Sequence, residues 1–162
     1  MMPNYEKNTF LSRRIICNDI HTLRLQTSLE DVKHLIPFTE ASIKNLSKED
    51  SAYVEVIYSR FGKLQDTIGN KIFPAILTIT GHTPLTFIDK LNTLEKLRYL
   101  NDATWWMQIR DLRNQITHDY EDDYEIIAEH TNTLIEQSHK LLAYWHYLKP
   151  KLTTLIEQAE NQ

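Results

Sequence analysis

The sequence predicts an all-α protein, a bundle of about five helices, and three observations carry that prediction. Only 3 glycines and 5 prolines occur in 162 residues, too few for the many turns that short strands require. Apolar residues recur at spacings of three and four along most of the chain, the period of a helix with one buried face. No run alternates apolar and polar residues as a half-buried strand does. The length suits one domain, residues 1–162, with a core that needs no covalent staple.

The first element runs from about Phe10 to Leu25, with Ile16, Ile20 and Leu23 as its apolar stripe. The phase slips at Thr27-Ser28, where Ser28 followed by Asp31 reads as a fresh helix cap. Leu29, Val32, Leu35 and Ile36 continue from there. Ser47 with Asp50 is a further cap, ahead of a long stripe of Tyr53, Ile57, Leu64, Ile68, Ile72 and Ile76. Gly62 and Gly69 weaken this helix, and Pro74 should kink or end it. Gly81 reads as a stop, and Thr83-Pro84 reads as a cap with proline at the first helical position. Leu85, Ile88, Leu91 and Leu94 mark the next helix. Asp102 can cap the one after it, whose stripe is Trp105, Ile109, Leu112 and Ile116. The carboxylates of Glu121, Asp122 and Asp123 suit the positive end of a last helix. Its seam, Leu134, Ser138, Leu141, Trp145, Leu148, Leu152 and Leu155, alternates steps of four and three, with Pro150 as a possible bend.

The bulk numbers exclude several functions. Cys17 is the sole cysteine, so no intrachain disulfide forms and a cytoplasmic setting is expected. The first residues lack a signal-peptide pattern, and no apolar run approaches the ~18 residues of a membrane span. A net charge of -4 argues against generic polyanion binding, so any nucleic acid should meet a local basic site.

The stretch R-N-Q-I-T-H-D-Y, Arg113 to Tyr120, concentrates chemistry at the end of one helix. Leu112 and Ile116 face the core, which sets Arg113 at the edge of the buried stripe, with Arg110 one turn earlier on the same side. Arg113 and His118 would diverge by ~140° on a continuous helix, so they meet if the helix frays or if a second copy supplies a partner set. Arginine presents a planar donor fork suited to phosphate, and histidine moves protons near neutral pH. Together they could cleave RNA without a metal, leaving a 2′,3′-cyclic phosphate: histidine handles the ribose 2′-hydroxyl proton and arginine the charge on phosphorus. By spacing alone, an arginine and a histidine near a helix C-terminus also simply complement its dipole. Tyr120 alone reads as a half-buried packing residue, and Asn114 alone as surface.

Arg-x-x-x-x-His-x-Tyr with a polar residue after the arginine resembles the signature of HEPN-domain proteins. It is most similar to the HepT branch, the toxin partner of minimal nucleotidyltransferase (MNT) antitoxins. The residues that match are Arg113, Asn114, His118 and Tyr120, with the tryptophan-bearing helix before them and the long last helix after. The resemblance covers about residues 85–155. It implies a HEPN-like bundle with a four-helix core, and a homodimer whose two motifs line one cleft. It further implies a metal-independent endoribonuclease toxin of a type II or VII toxin–antitoxin module, needing no cofactor. Arg113 and His118 would be catalytic and Asn114 supporting. Tyr120 would be the residue to which the nucleotidyltransferase antitoxin attaches AMP. The alternative is a HEPN subunit that binds nucleotide or substrate for a nucleotidyltransferase and does not cut RNA. A third reading is a helical adaptor that dimerises through its last helix.

Other features carry less. His139 and His146 are seven apart and lack the i,i+4 spacing of a helical metal site, so no metal is expected. Trp105-Trp106 could stack on bases, but Trp105 fits the buried stripe. Arg13-Arg14 and Arg24 read as a solvated face.

Overall fold

The computed structural model describes residues 4–117 and 122–162. The chain runs through α1 (Asn4–Asp31), a 3-10 turn (Lys33–Leu35), α2 (Glu40–Lys44), α3 (Lys48–Thr67), a π-turn (Ile68–Ile72) and α4 (Phe73–Ile79). It continues with α5 (Phe87–Lys96), α6 (Ala103–Thr117) and α7 (Tyr124–Glu160). No strand occurs among the described residues, and the fold is an all-α bundle. Counting α3 through α4 as one continuous rod, the long helices number five, with the short α2 added, and the separate helix expected after Ser28 is absorbed into α1. α1 packs on both α3 and α7, and α6 spans from α3 to α7.

The helix starts are set locally. Ser47 accepts from the Asp50 amide at 3.0 Å, and Asp102 accepts from the Trp105 amide at 3.0 Å, as their spacing predicts. Asp123 accepts from the Ile126 amide at 3.2 Å and so starts α7. Two other starts differ from the expectation. Ser28 caps nothing, because α1 runs unbroken to Asp31 with Ser28 buried in it. α5 is capped by Thr86 rather than Thr83, which leaves Leu85 outside the helix and 95% exposed.

Pro74 neither ends nor sharply stops its rod. It lacks an amide proton, so a regular helix would lose one bond there and clash with the carbonyl four residues back. The chain instead widens, with the Phe73 amide donating to the Ile68 carbonyl, and re-enters α-helix at Phe73. The widening also explains the sequence stripe. Leu64, Ile68, Ile72 and Ile76 advance by four each time, and each such step overshoots a regular helix turn by ~40°. An underwound turn absorbs that drift, and all four side chains are fully buried.

The largest departure lies in α1. Ile16, Ile20 and Leu23, read as its apolar stripe, are 63%, 49% and 65% exposed. The buried face instead carries Asn8, Leu11, Asn18, Thr22, Leu25, Ser28 and Leu29. Side-chain polar atoms of Asn8, Asn18 and Thr22 find no hydrogen-bond partner among the described residues. Asp19, beside that face, accepts from the Trp145 indole at 2.9 Å and pairs with Lys149 at 2.6 Å, which fastens α1 to α7. The expected seam of α7 is buried throughout and continues past the exposed Pro150. The Asn132 side chain on α7 both donates to and accepts from the Phe38 backbone (2.9 and 2.8 Å), holding the loop before α2.

Candidate functional site

The site is built on α6, whose inner face decides what its last turns present. Trp106 and Ile109 are fully buried and Leu112 nearly so. Trp105, expected inside, is half-buried, and its indole N–H donates to Gln137 Oε1 at 2.8 Å. Trp106 takes the core position where its ring lies against Gly69 of the π-turn. An added Cβ there would lie 3.3 Å from the Trp106 ring, a tight approach that glycine avoids.

Two turns later the same logic places Arg113. Its side chain lies across Gly62 of α3, where a Cβ would stand 3.7 Å from Nε. The guanidinium is 3.6 Å from Asp66, one helical turn along α3, and the side chain is 39% exposed. Between α3 and α6 it borders a cleft of about 200 Å³ with Tyr58, Ser59, Lys63 and Ile116. Asn114 is exposed. Arg110, expected to share a side with Arg113, stacks instead on the Phe87 ring at the start of α5, at 4.4 Å. His118, Tyr120 and Glu121 lie outside the described residues. Of the acidic stretch, Asp123 is committed to capping α7 and Asp122 is exposed.

Gly62, Lys63 and Asp66 were not singled out as site residues by the sequence. Gly62 carried a signal, a glycine in a long apolar helix, which marks close approach of another group. The i,i+4 relation of Gly62 and Asp66 puts a small residue and a carboxylate on one face, and the Arg113 side chain lies along it. The cleft pairs a planar donor fork with the Lys63 ammonium, so it suits a phosphate oxyanion. Asp66 fixes the guanidinium against the helix and offsets part of its charge.

A second polar cluster sits nearby on α1 and α3. The Arg60 guanidinium donates to His21 Nδ1 at 3.0 Å, since arginine has no acceptor. The His21 proton therefore resides on Nε2, facing Cys17 Sγ at 3.5 Å. Burial, with Arg60, Lys63 and Arg24 adding repulsion, holds the His21 pKa below its ordinary 6.5. Because the folded-state pKa is depressed, the unfolded chain binds the proton more readily. Stability is then fully present above pH 6.5 and falls as the pH drops through the folded pKa. The wild type should lose melting temperature on acidification below that value more steeply than His21→Gln. Parallel melting curves for the two proteins would remove this account of His21.

No family model, no curated protein and no solved structure matches the chain. Among the described residues, no group of three histidines, cysteines or carboxylates is placed to hold a metal ion. No described helix is long and apolar enough to cross a membrane.

Proposed function

We propose that the chain is a HepT-like, metal-independent endoribonuclease, the toxin of a two-gene module, acting as a homodimer. In this reading Arg113 stabilises charge on phosphorus, His118 transfers the 2′-hydroxyl proton, and Asn114 supports the site. The partner is a nucleotidyltransferase antitoxin that attaches AMP to Tyr120. The observation that carries the reading is the seat of Arg113: half-exposed, held by Gly62 and Asp66, beside Lys63, one turn ahead of His118 in sequence. An arginine serving only the helix dipole would turn to the carbonyls of its own last turn rather than lie across a neighbouring helix. On a continuous helix Arg113 and His118 would diverge by ~140°, so this reading takes the complementary set from a second copy, for which closed two-fold symmetry is the common solution.

The test is cleavage of an end-labelled single-stranded RNA by the purified chain in excess chelator. The expected products carry 2′,3′-cyclic phosphate, and light scattering should give a dimer at micromolar concentration. Products with 3′-hydroxyls, or an active monomer, contradict the proposal. Co-expression with the cognate nucleotidyltransferase should add one or more AMP units to the intact mass. Tyr120→Phe should gain none at that position and stay toxic beside the partner, because no phosphate is installed to occupy the Arg113 fork. A Tyr120→Phe chain neutralised as well as wild type would mean that the partner inhibits by binding alone.

A further inference from the structure

A second cleft, of about 360 Å³, lies between the first half of α1 and the segment formed by the π-turn and α4. That volume is in the ~300–1,000 Å³ range of small-molecule sites. Phe10, Pro74 and Ala75 give it a flat apolar surface, and Lys7, Lys71 and Asn70 supply polar groups. It is roughly 15 Å along the helical rod from Gly62, so it is separate from the Arg113 cleft.

Three features of this cleft bear on what it could hold. Neither Lys7 nor Lys71 has a carboxylate partner among the described residues. The nearest carboxylate on the rod, Asp66, is already engaged, by the Asn70 amide at 2.7 Å and by Arg113. Asn70 and Lys71 both lie in the π-turn that accommodates Pro74, which brings them to the cleft beside the proline ring. Finally, Arg14 stacks on the Phe10 ring at 4.8 Å, which fixes the ring and adds a third cation behind it.

We propose that this cleft is a binding site for a small planar ring carrying a phosphate monoester. The ring lies on the Phe10–Pro74–Ala75 surface, and the phosphate sits with the Lys7 and Lys71 ammoniums. Two point charges match the ≈ −1.5 to −2 charge of a phosphate monoester better than the single charge of a carboxylate. The proposal does not depend on RNA cleavage, and Arg113 takes no part in it.

The experiment is calorimetric titration of the full chain with phenyl phosphate, alongside inorganic phosphate, benzoate and benzyl alcohol. Phenyl phosphate is expected to bind saturably at one site per chain. Each of the other three should bind at least tenfold more weakly, because each lacks the ring, the second charge or the anion. Lys71→Glu and Lys7→Glu should each weaken phenyl phosphate at least tenfold with unchanged melting temperature. Arg113→Ala should leave the affinity unchanged. Equal binding of inorganic phosphate would reduce the site to two surface lysines, and equal binding of benzyl alcohol would reduce it to an apolar dent. Either result, unchanged affinity in both lysine variants, or no saturable binding, overturns the proposal.

Discussion

Replacing Arg113 with alanine is expected to lower the rate of RNA cleavage by about 10²–10³-fold, the usual effect of removing one donor that stabilises charge in a transition state. The fold should survive. Arg113 is 39% exposed, and its ion pair with the 41%-exposed Asp66 is of the solvent-screened kind, worth ~1 kcal/mol or less. Loss of toxicity with a circular dichroism spectrum and melting temperature close to wild type would therefore assign the loss to chemistry. Lysine at the same position is a sharper probe. It keeps the charge but loses the fork, so its activity should stay well below wild type. A variant lacking Arg113 that still cleaves at the wild-type rate would remove the residue from the mechanism and the HepT-like reading with it. Gly62→Val offers an independent check. Its side chain would intrude where the Arg113 stem lies, so cleavage should fall although no catalytic group is changed.

Trp106→Ala should be the most damaging substitution for stability, costing about 3–5 kcal/mol in urea unfolding. The indole is fully buried, lies against Gly69, and meets the rings of Phe73 and Tyr144 at 4.7 and 5.8 Å. Its removal opens a cavity at the meeting of α6, α7 and the π-turn. Against a typical total of ~5–15 kcal/mol, that loss leaves a marginal protein. Trp105→Ala is the control. Its ring is half-buried with one hydrogen bond to Gln137, so a clearly smaller cost is expected. Equal costs at the two positions would contradict the assignment of Trp106 to the core.

The contrast between neighbouring tryptophans shows where sequence reading stops. Caps such as Ser47 and Asp102 are legible because donor and acceptor are three residues apart in the chain. The α7 seam is legible because every position in it is apolar or small. Trp105 and Trp106 differ by one residue of phase, and Gly69, against which the buried ring lies, is on another helix. The Arg113 seat has the same character. The motif names the arginine, while the glycine and aspartate that hold it lie in α3. In α1 the buried positions keep helical spacing, but asparagine, threonine and serine occupy several of them. An apolar-stripe rule passes over such a face in favour of the more apolar Ile16, Ile20 and Leu23.

That two-sidedness of α1 has a consequence for how the fold is specified. The faces centred on Ile20 and on Asn18 and Thr22 are nearly opposite, since two residues turn a helix by ~200°. A half-roll of α1 would bury three large aliphatic side chains and hydrate the buried amides, at the expense of Leu11, Leu25 and Leu29. Burial alone therefore separates the two dockings poorly, which is a local form of frustration. Asp19 breaks the tie, because its carboxylate reaches the Trp145 indole and Lys149 in one orientation only. Its contribution is to uniqueness more than to strength: a polar pin that fixes the rotation of an otherwise ambivalent helix.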